Sequence, residues 1–144
     1  MPAVRRTRSM ELVWKIHRWL YRVSGGRVGG RMMGMPVLLL TTTGRKTGQP
    51  RTSPLMYFPD GDACVVIASN AGEPSHPAWW LNLRAEPCAT IQRGSQVARV
   101  RAREAAGEER ARLWVKLVEL DRSYETYRQR TKRQIPVVLL EPVA

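Results

Sequence analysis

Only two cysteines, Cys64 and Cys88, occur among 144 residues, too few for a disulfide framework or a cysteine-bound zinc. Long apolar runs are also missing. The stretch from Met32 to Thr43 is among the longest, and it falls well short of the ~20 residues that a membrane span needs. Histidine is scarce: His17 and His76 are the only two, and neither has a second ligand at metal-binding spacing, so no metal is expected. No Ser-His-Asp or Cys-His grouping appears, and Cys64 sits mid-run among apolar residues, which suits a core position better than a nucleophile. Met1 to Arg8 carries three arginines, yet no apolar core of roughly 7–15 residues follows, so no secretory signal is expected. These absences point to a cytoplasmic protein with buried thiols. Acidic residues are the last shortage: 12 against 24 basic ones, a net charge of +12.

That excess is uneven. Residues 1–34 hold eight basic groups and one acid, residues 35–98 balance to +1, and residues 99–144 give +4. The chain therefore divides into a basic N-terminal segment, 1–34, and one domain, 35–144. With 43% hydrophobic and 25% charged residues, wholesale disorder is excluded. A chain this long hides about 68–70% of its extended surface on folding, enough for a true core. The charge suits a nucleic acid, an anionic membrane or an anionic small molecule. Charge alone does not choose.

Ser9 is a candidate N-cap for a helix running to about Val23. Leu12, Ile16, Trp19 and Val23 form its apolar stripe, flanked by Lys15, Arg18 and Arg22. Such a helix either docks its stripe on the domain or rests peripherally on membrane headgroups. Four glycines between residues 25 and 30 make a flexible connection. The period then changes to that of strands: Val37–Thr43, Arg51–Phe58, Ala63–Ser69, Cys88–Gln92, Gln96–Arg103 and Ile135–Leu140. A short helix is expected from Pro77 through Arg84, and others over Gly107–Leu120 and Ser123 to about Thr131. The fold class is thus α+β: about six mostly antiparallel strands, closed into a small barrel, with flanking helices.

Three segments are candidates for chemistry. Thr41-Thr42-Thr43-Gly44-Arg45-Lys46-Thr47-Gly48-Gln49-Pro50-Arg51 combines backbone donors, hydroxyls and three cations in a glycine-bounded turn, which suits an anion. It also reads as an ordinary solvated hairpin. It is not a P-loop, because the GxxxxGK[ST] order is missing. Ser69-Asn70-Ala71-Gly72 leads into Pro77-Ala78-Trp79-Trp80-Leu81-Asn82, a small-residue loop feeding a helix N-terminus. Adjacent tryptophans point in different directions, so one can enter the core while the other faces a cleft; equally, both can simply pack. Tyr124 and Tyr127 share a helical face and could donate a proton, or lie at the core edge without a role.

The stretch from Tyr21 to Leu55, the loop SNAGEPSHPAWWLNL and the segment SYETYRQRTKRQIPVVLLEP together resemble the deazaflavin-dependent nitroreductase and quinone reductase family of actinobacteria. The resemblance runs from about Trp14 to Pro142, and TTTGRKTGQPR and PAWWLNL carry it most specifically. It implies a split β-barrel related to flavin-mononucleotide-binding oxidoreductases, with coenzyme F420 as hydride carrier. By motif position, Arg45, Lys46, Thr47 and Arg51 would meet the anionic tail and phosphate. Thr52, Ser53, Pro54, Leu55 and Met56 would run beside the phosphate and linker. Ile67, Ala68, Ser69 and Asn70 would lie along the ring, while Ala78, Trp79, Trp80, Leu81 and Asn82 would close the pocket. Tyr124 would face the ring from the substrate side, with Tyr127 lining it. Asn70 stands where some relatives have lysine, and Asp121 where a close relative has an aromatic residue.

The implied acceptor is a small conjugated, electron-poor molecule such as a quinone or nitroaromatic. A homodimer is compatible with this resemblance, and nucleic acid is not an expected partner. The competing readings are a flavin-mononucleotide enzyme and a non-catalytic basic module that binds membrane or nucleic acid. Against nucleic acid, no helix-turn-helix or aromatic RNA-binding strand motif is present.

Overall fold

The computed structural model describes residues 31–32 and 35–143, so the expected N-terminal helix and most of the glycine connection lie outside the described residues. Eight strand segments and three helices follow in order. They are β1 (Arg31–Met32), β2 (Met35–Thr43), β3 (Pro50–Met56), β4 (Phe58–Asp60) and β5 (Ala63–Ile67). After a 3₁₀ turn at Asn70–Gly72 come α1 (Ala78–Ala85), β6 (Cys88–Arg93), β7 (Gln96–Glu104), α2 (Gly107–Leu120), α3 (Ser123–Arg130) and β8 (Val137–Pro142).

All strand pairs are antiparallel, in the order β1-β2-β6-β7-β8-β5-β4, with β3 also on β2. One bent segment serves both ends of the sheet. Residues 50–56 pair with β2 from Thr43↔Pro50 to Val37↔Met56, whereas Phe58–Asp60 pairs with β5. The sequence reading had a single strand here; the chain leaves the ladder at Tyr57, whose N–H turns to the Pro36 carbonyl at 3.0 Å. That break lets one segment curl the sheet into a split barrel, as the fold class anticipated. Asp60–Gly61 makes the tight turn into β5, with Gly61 at φ +62. Arg31 and Met32 pair with Pro36 and Met35, which ties the start of the described chain to the barrel.

Strand alternation builds two cores. Cys64 and Val66 of β5, Val138 and Leu140 of β8, Leu38 and Leu40 of β2, Ile91 and Val100 point into the barrel interior with Trp79, Trp80 and Leu83 of α1. Val65 and Val137 with Leu139 face the other way and meet Leu113, Trp114 and Leu117 of α2 and Tyr124 of α3. Because β8 is covered on both faces, its run Val137-Val138-Leu139-Leu140 is buried throughout. Each fully buried side chain of this size stabilises by roughly 1.5–3 kcal/mol. Cys64 lies inside the barrel as expected, and burial pushes its thiol pKa up.

Polar contacts tie the helices on. Arg103 bonds both Glu109 and Glu141, and Arg112 bonds Asp60 at 3.0 Å. Trp114 donates its indole N–H to Glu125 at 3.2 Å while Arg110 and Arg128 lie over its ring. Strand and helix ends lie within two residues of expectation, and α2 matches it at both ends. β5 stops two residues early, at Ile67, because Ser69 adopts helical angles (φ −75, ψ −33). At the opposite strand, Pro136 offers no N–H, so β8 begins only at Val137.

Candidate active site

The basic turn is built by its glycines. Gly44 N–H reaches the Gln49 carbonyl at 2.8 Å and Gly48 N–H the Gly44 carbonyl at 2.7 Å. A Cβ on Gly44 would sit 3.0 Å from that Gln49 oxygen, so a side chain there would open the turn. Thr47 accepts the Gln49 N–H at 3.2 Å. Arg45, Lys46 and Arg51 are exposed, and among the described residues no carboxylate pairs with them.

One buried amide fixes this turn to α1. Asn82 is only 4% exposed. Its Oδ1 accepts from the Arg45 backbone N–H at 3.1 Å and from Arg45 Nη1 at 3.2 Å, and its Nδ2 donates to Thr42 Oγ1 at 3.1 Å. The side chain thus works inside the protein, locking the turn to the helix. On the opposite face of β2, the Thr41 and Thr52 hydroxyls share a 2.9 Å hydrogen bond. Along β3, Leu55 packs on the barrel interior and Met56 on the cluster beneath α2. Ser53 and Pro54 stand opposite Leu40 and Leu39.

The two tryptophans do not divide between core and cleft. Trp79 and Trp80 are 8% and 6% exposed and pack in the same interior cluster as Ala68. Alpha-helical neighbours point about 100° apart, and α1 lies against that cluster so that both directions meet it. Ala78 is exposed and Leu81 half-buried.

The loop after β5 is strained. Asn70, Ala71 and Gly72 follow one another at φ +47, +54 and +78, and left-handed angles cost an ordinary residue about 1–3 kcal/mol. Gly72 presses against α3, where an added Cβ would lie 3.2 Å from Arg130 and from the Tyr127 carbonyl. Asn70 Nδ2 donates to the Ser75 carbonyl at 3.1 Å, closing the loop on itself. Ala68 and Ser69 are buried and Ile67 packs on the cluster around Tyr124.

Sequence reasoning missed the group that grips this loop. Arg133 donates to the carbonyls of Ser69 (2.7 Å), Glu73 (3.0 Å) and Ala68 (3.1 Å), and to His76 Nδ1 (3.2 Å). Arginine has no acceptor, so His76 Nδ1 carries no proton and the ring is neutral. Burial, then Arg133 and Arg84, push the His76 pKa down, in agreement. Within the run Arg128–Arg133 nothing in the sequence separates this arginine from its solvated neighbours.

Tyr124 is 5% exposed, and Tyr127 meets it edge-on with centroids 5.6 Å apart and planes at 86°. Burial, with Asp121 and Tyr127 adding, pushes the Tyr124 phenol up to about 12. It is therefore a neutral donor at ordinary pH. Tyr127 is the more exposed of the two. Met56 and Ile67 pack against the same cluster as the tyrosines, so the structure brings the end of β3, the end of β5 and α3 together. The turn and α1 form a second group, joined to the first through Ala68 and the barrel interior.

An open groove of ≈ 420 Å³ runs along the outer sheet face beside the turn, lined by Thr41, Thr43, Gly48, Cys88, Thr90 and Arg99 among others. It contains none of the residues expected from the sequence to hold a coenzyme.

The architecture is that of a split β-barrel carrying an exposed cationic turn, a strained loop and a tyrosine pair. A family model described as F420H(2)-dependent quinone reductase matches residues 13–142, and the chain belongs to that family. It is 43% identical over 130 residues to an F420H(2)-dependent quinone reductase of Mycobacterium tuberculosis, covering 88% of this chain and 87% of that one. Among solved structures, an F420-H2 dependent reductase, FDR-A, is 40% identical with a TM-score of 0.68, covering 74% of this chain and 94% of that one. A structure described as a domain-swapped dimer is 34% identical with a TM-score of 0.71, covering 92% and 99%.

Proposed function

We propose that this protein moves a hydride from reduced coenzyme F420 to a quinone or a similar conjugated, electron-poor acceptor, with the residues of the turn, loop and tyrosine pair as its site. The observation that carries this reading is the turn itself. Three cations, without carboxylate partners among the described residues, project from a backbone held by the hydrogen bonds of Gly44, Gly48 and Asn82. Such a donor set fits a coenzyme with a phosphodiester and an oligoglutamate tail better than the single phosphate of flavin mononucleotide. The loop fits its flat, carbonyl-bearing ring: among the described residues no acceptor takes the backbone N–H of Asn70 or Ala71.

When bound, the deazaflavin supplies two-electron hydride chemistry, while the protein supplies orientation and exclusion of water. Arg45, Lys46 and Arg51 neutralise its anionic groups, assisted by the Thr47, Thr52 and Ser53 hydroxyls. Residues 67–70 provide the platform for the ring, and Ala78–Asn82 fix the distance between platform and turn. Tyr124, kept protonated by burial, donates a hydrogen bond as negative charge builds on an acceptor oxygen. Tyr127, edge-on to it and the more exposed of the two, shapes what can approach.

Titrating the purified protein with oxidised F420 and with flavin mononucleotide, read by fluorescence, tests the reading, followed by menadione reduction with reduced F420. Tighter binding of F420 supports it; equal or reversed affinities overturn it. Peripheral membrane association through the N-terminal segment is a separate proposal, supported by its basic and apolar patterning. Sedimentation with anionic vesicles, with and without residues 1–23, decides it. The swapped-dimer relative makes a dimer worth measuring by light scattering.

A further inference from the structure

We infer that Arg133 is a positioning residue, which holds the backbone of residues 68–73 in the form that receives the coenzyme. This rests on the reading that those residues lie along the ring. One guanidinium takes four acceptors on this stretch and the histidine beyond it: the carbonyls of Ala68, Ser69 and Glu73, and His76 Nδ1. It has no carboxylate partner among the described residues, so its charge is directed at backbone dipoles.

The same short segment holds the loop from two sides. Pro136 accepts the Ala68 N–H at 3.0 Å, and Arg110 holds the adjoining Ile135 carbonyl at 2.7 Å. Residues 133–136 thus take the carbonyls of Ala68 and Ser69 and the N–H of Ala68. What they brace is a backbone that does not favour its own shape, with Asn70 and Ala71 both left-handed. In that shape the N–H groups of Asn70 and Ala71 are left for a ligand, an αR-to-αL arrangement suited to an electron-rich atom. Neighbouring strain and free donors at a site are explained if the strained shape is the binding one.

Lysine cannot replace this arrangement. It offers a point charge with three donors on one nitrogen, whereas the four acceptors lie around the edges of a planar fork. Arg133→Lys therefore keeps charge and bulk while releasing most of the loop.

The test compares wild type with Arg133→Lys, and with Arg133→Gln should the lysine variant not fold. Amide hydrogen exchange at Ala68, Gly72 and Glu73, whose N–H groups are bonded to the carbonyls of Pro136, Ser69 and Asn70, is measured in the coenzyme-free protein, together with melting temperature, F420 affinity, and kcat and KM for menadione. The expected result is exchange in the loop faster by about tenfold or more, without comparable change in the barrel strands. F420 affinity should fall by about tenfold with KM for menadione little changed, since the platform and not the acceptor contact is lost. Wild-type exchange and affinity in the variant overturn the inference. So does a loss of affinity matched by faster exchange across the whole barrel, which marks a mere stability staple. If wild type binds no F420, the functional reading fails, and a role in receiving the coenzyme fails with it. The exchange comparison then still shows whether Arg133 clamps the loop.

Discussion

Replacing Asn82 by alanine removes the amide that joins the basic turn, β2 and α1. Three hydrogen bonds are lost, but unequally. The two from Arg45 belong to an exposed residue, which finds water instead. Thr42 is 2% exposed, and the other neighbour of its hydroxyl, the Arg51 carbonyl, is a distant 3.5 Å away. Leaving a buried hydroxyl underbonded costs about 1–3 kcal/mol. For a domain of this size that is a fall in melting temperature of roughly 3–12 °C. With the turn released, its cations must be ordered at the moment of binding, so F420 affinity should fall by about tenfold. Asn82→Asp separates the two effects. It still accepts from Arg45 and from the Thr42 hydroxyl, so stability should drop less, while its charge beside Arg45 opposes an anionic ligand. Calorimetry and fluorescence titration on the three proteins read both quantities. An alanine variant that melts within about 1 °C of wild type and binds F420 equally well would refute the assignment of Asn82 as the anchor.

Other outcomes follow from the same geometry. Lys46→Ala and Arg51→Ala should each weaken F420 by about 1.5–3 kcal/mol, with less dependence on salt than wild type shows; unchanged affinity in both would place the anionic groups elsewhere. Tyr124→Phe should slow menadione turnover by about 10²–10⁴-fold if its hydroxyl transfers a proton, with F420 affinity nearly intact; full turnover would leave the proton to water. Because the Tyr124 pKa is raised from 10.0 to about 12, its contribution to stability is complete below pH 10.0 and is lost as pH rises towards about 12. Alkaline melts of wild type and Tyr124→Phe should therefore converge across that window. Gly72→Ala combines φ +78 with 3.2 Å contacts to α3 and should cost about 1–3 kcal/mol, read as a fall in urea midpoint; a neutral substitution would show that the loop gives way easily.

Much of the barrel was written locally. Val37–Thr43, a β-branched and leucine run between Pro36 and Gly44, became β2, and Ala63–Ser69, entered from the Asp60–Gly61 turn, became β5 as far as Ile67. The Asp60–Gly61 and Gly94 turns and the Leu113–Leu117 spacing likewise belong to short-range chemistry. So does the cationic turn, because its glycines and charges are neighbours in the chain. What the tertiary structure decided is where distant groups meet. A two-register strand broken at Tyr57 depends on which partners lie at each end of a curled sheet. That both tryptophans are buried depends on how α1 sits against the barrel interior, and Asn82 found its partners 37 and 40 residues away. Arg133 is the clearest case. Along the chain it is one cation in a basic run, and only folding carries the carbonyls of Ala68 and Ser69, 65 and 64 residues earlier, to its guanidinium. Side-chain pattern is local and periodic, so it is legible in one dimension; a hydrogen bond between segments is a property of their positions, which no single segment specifies.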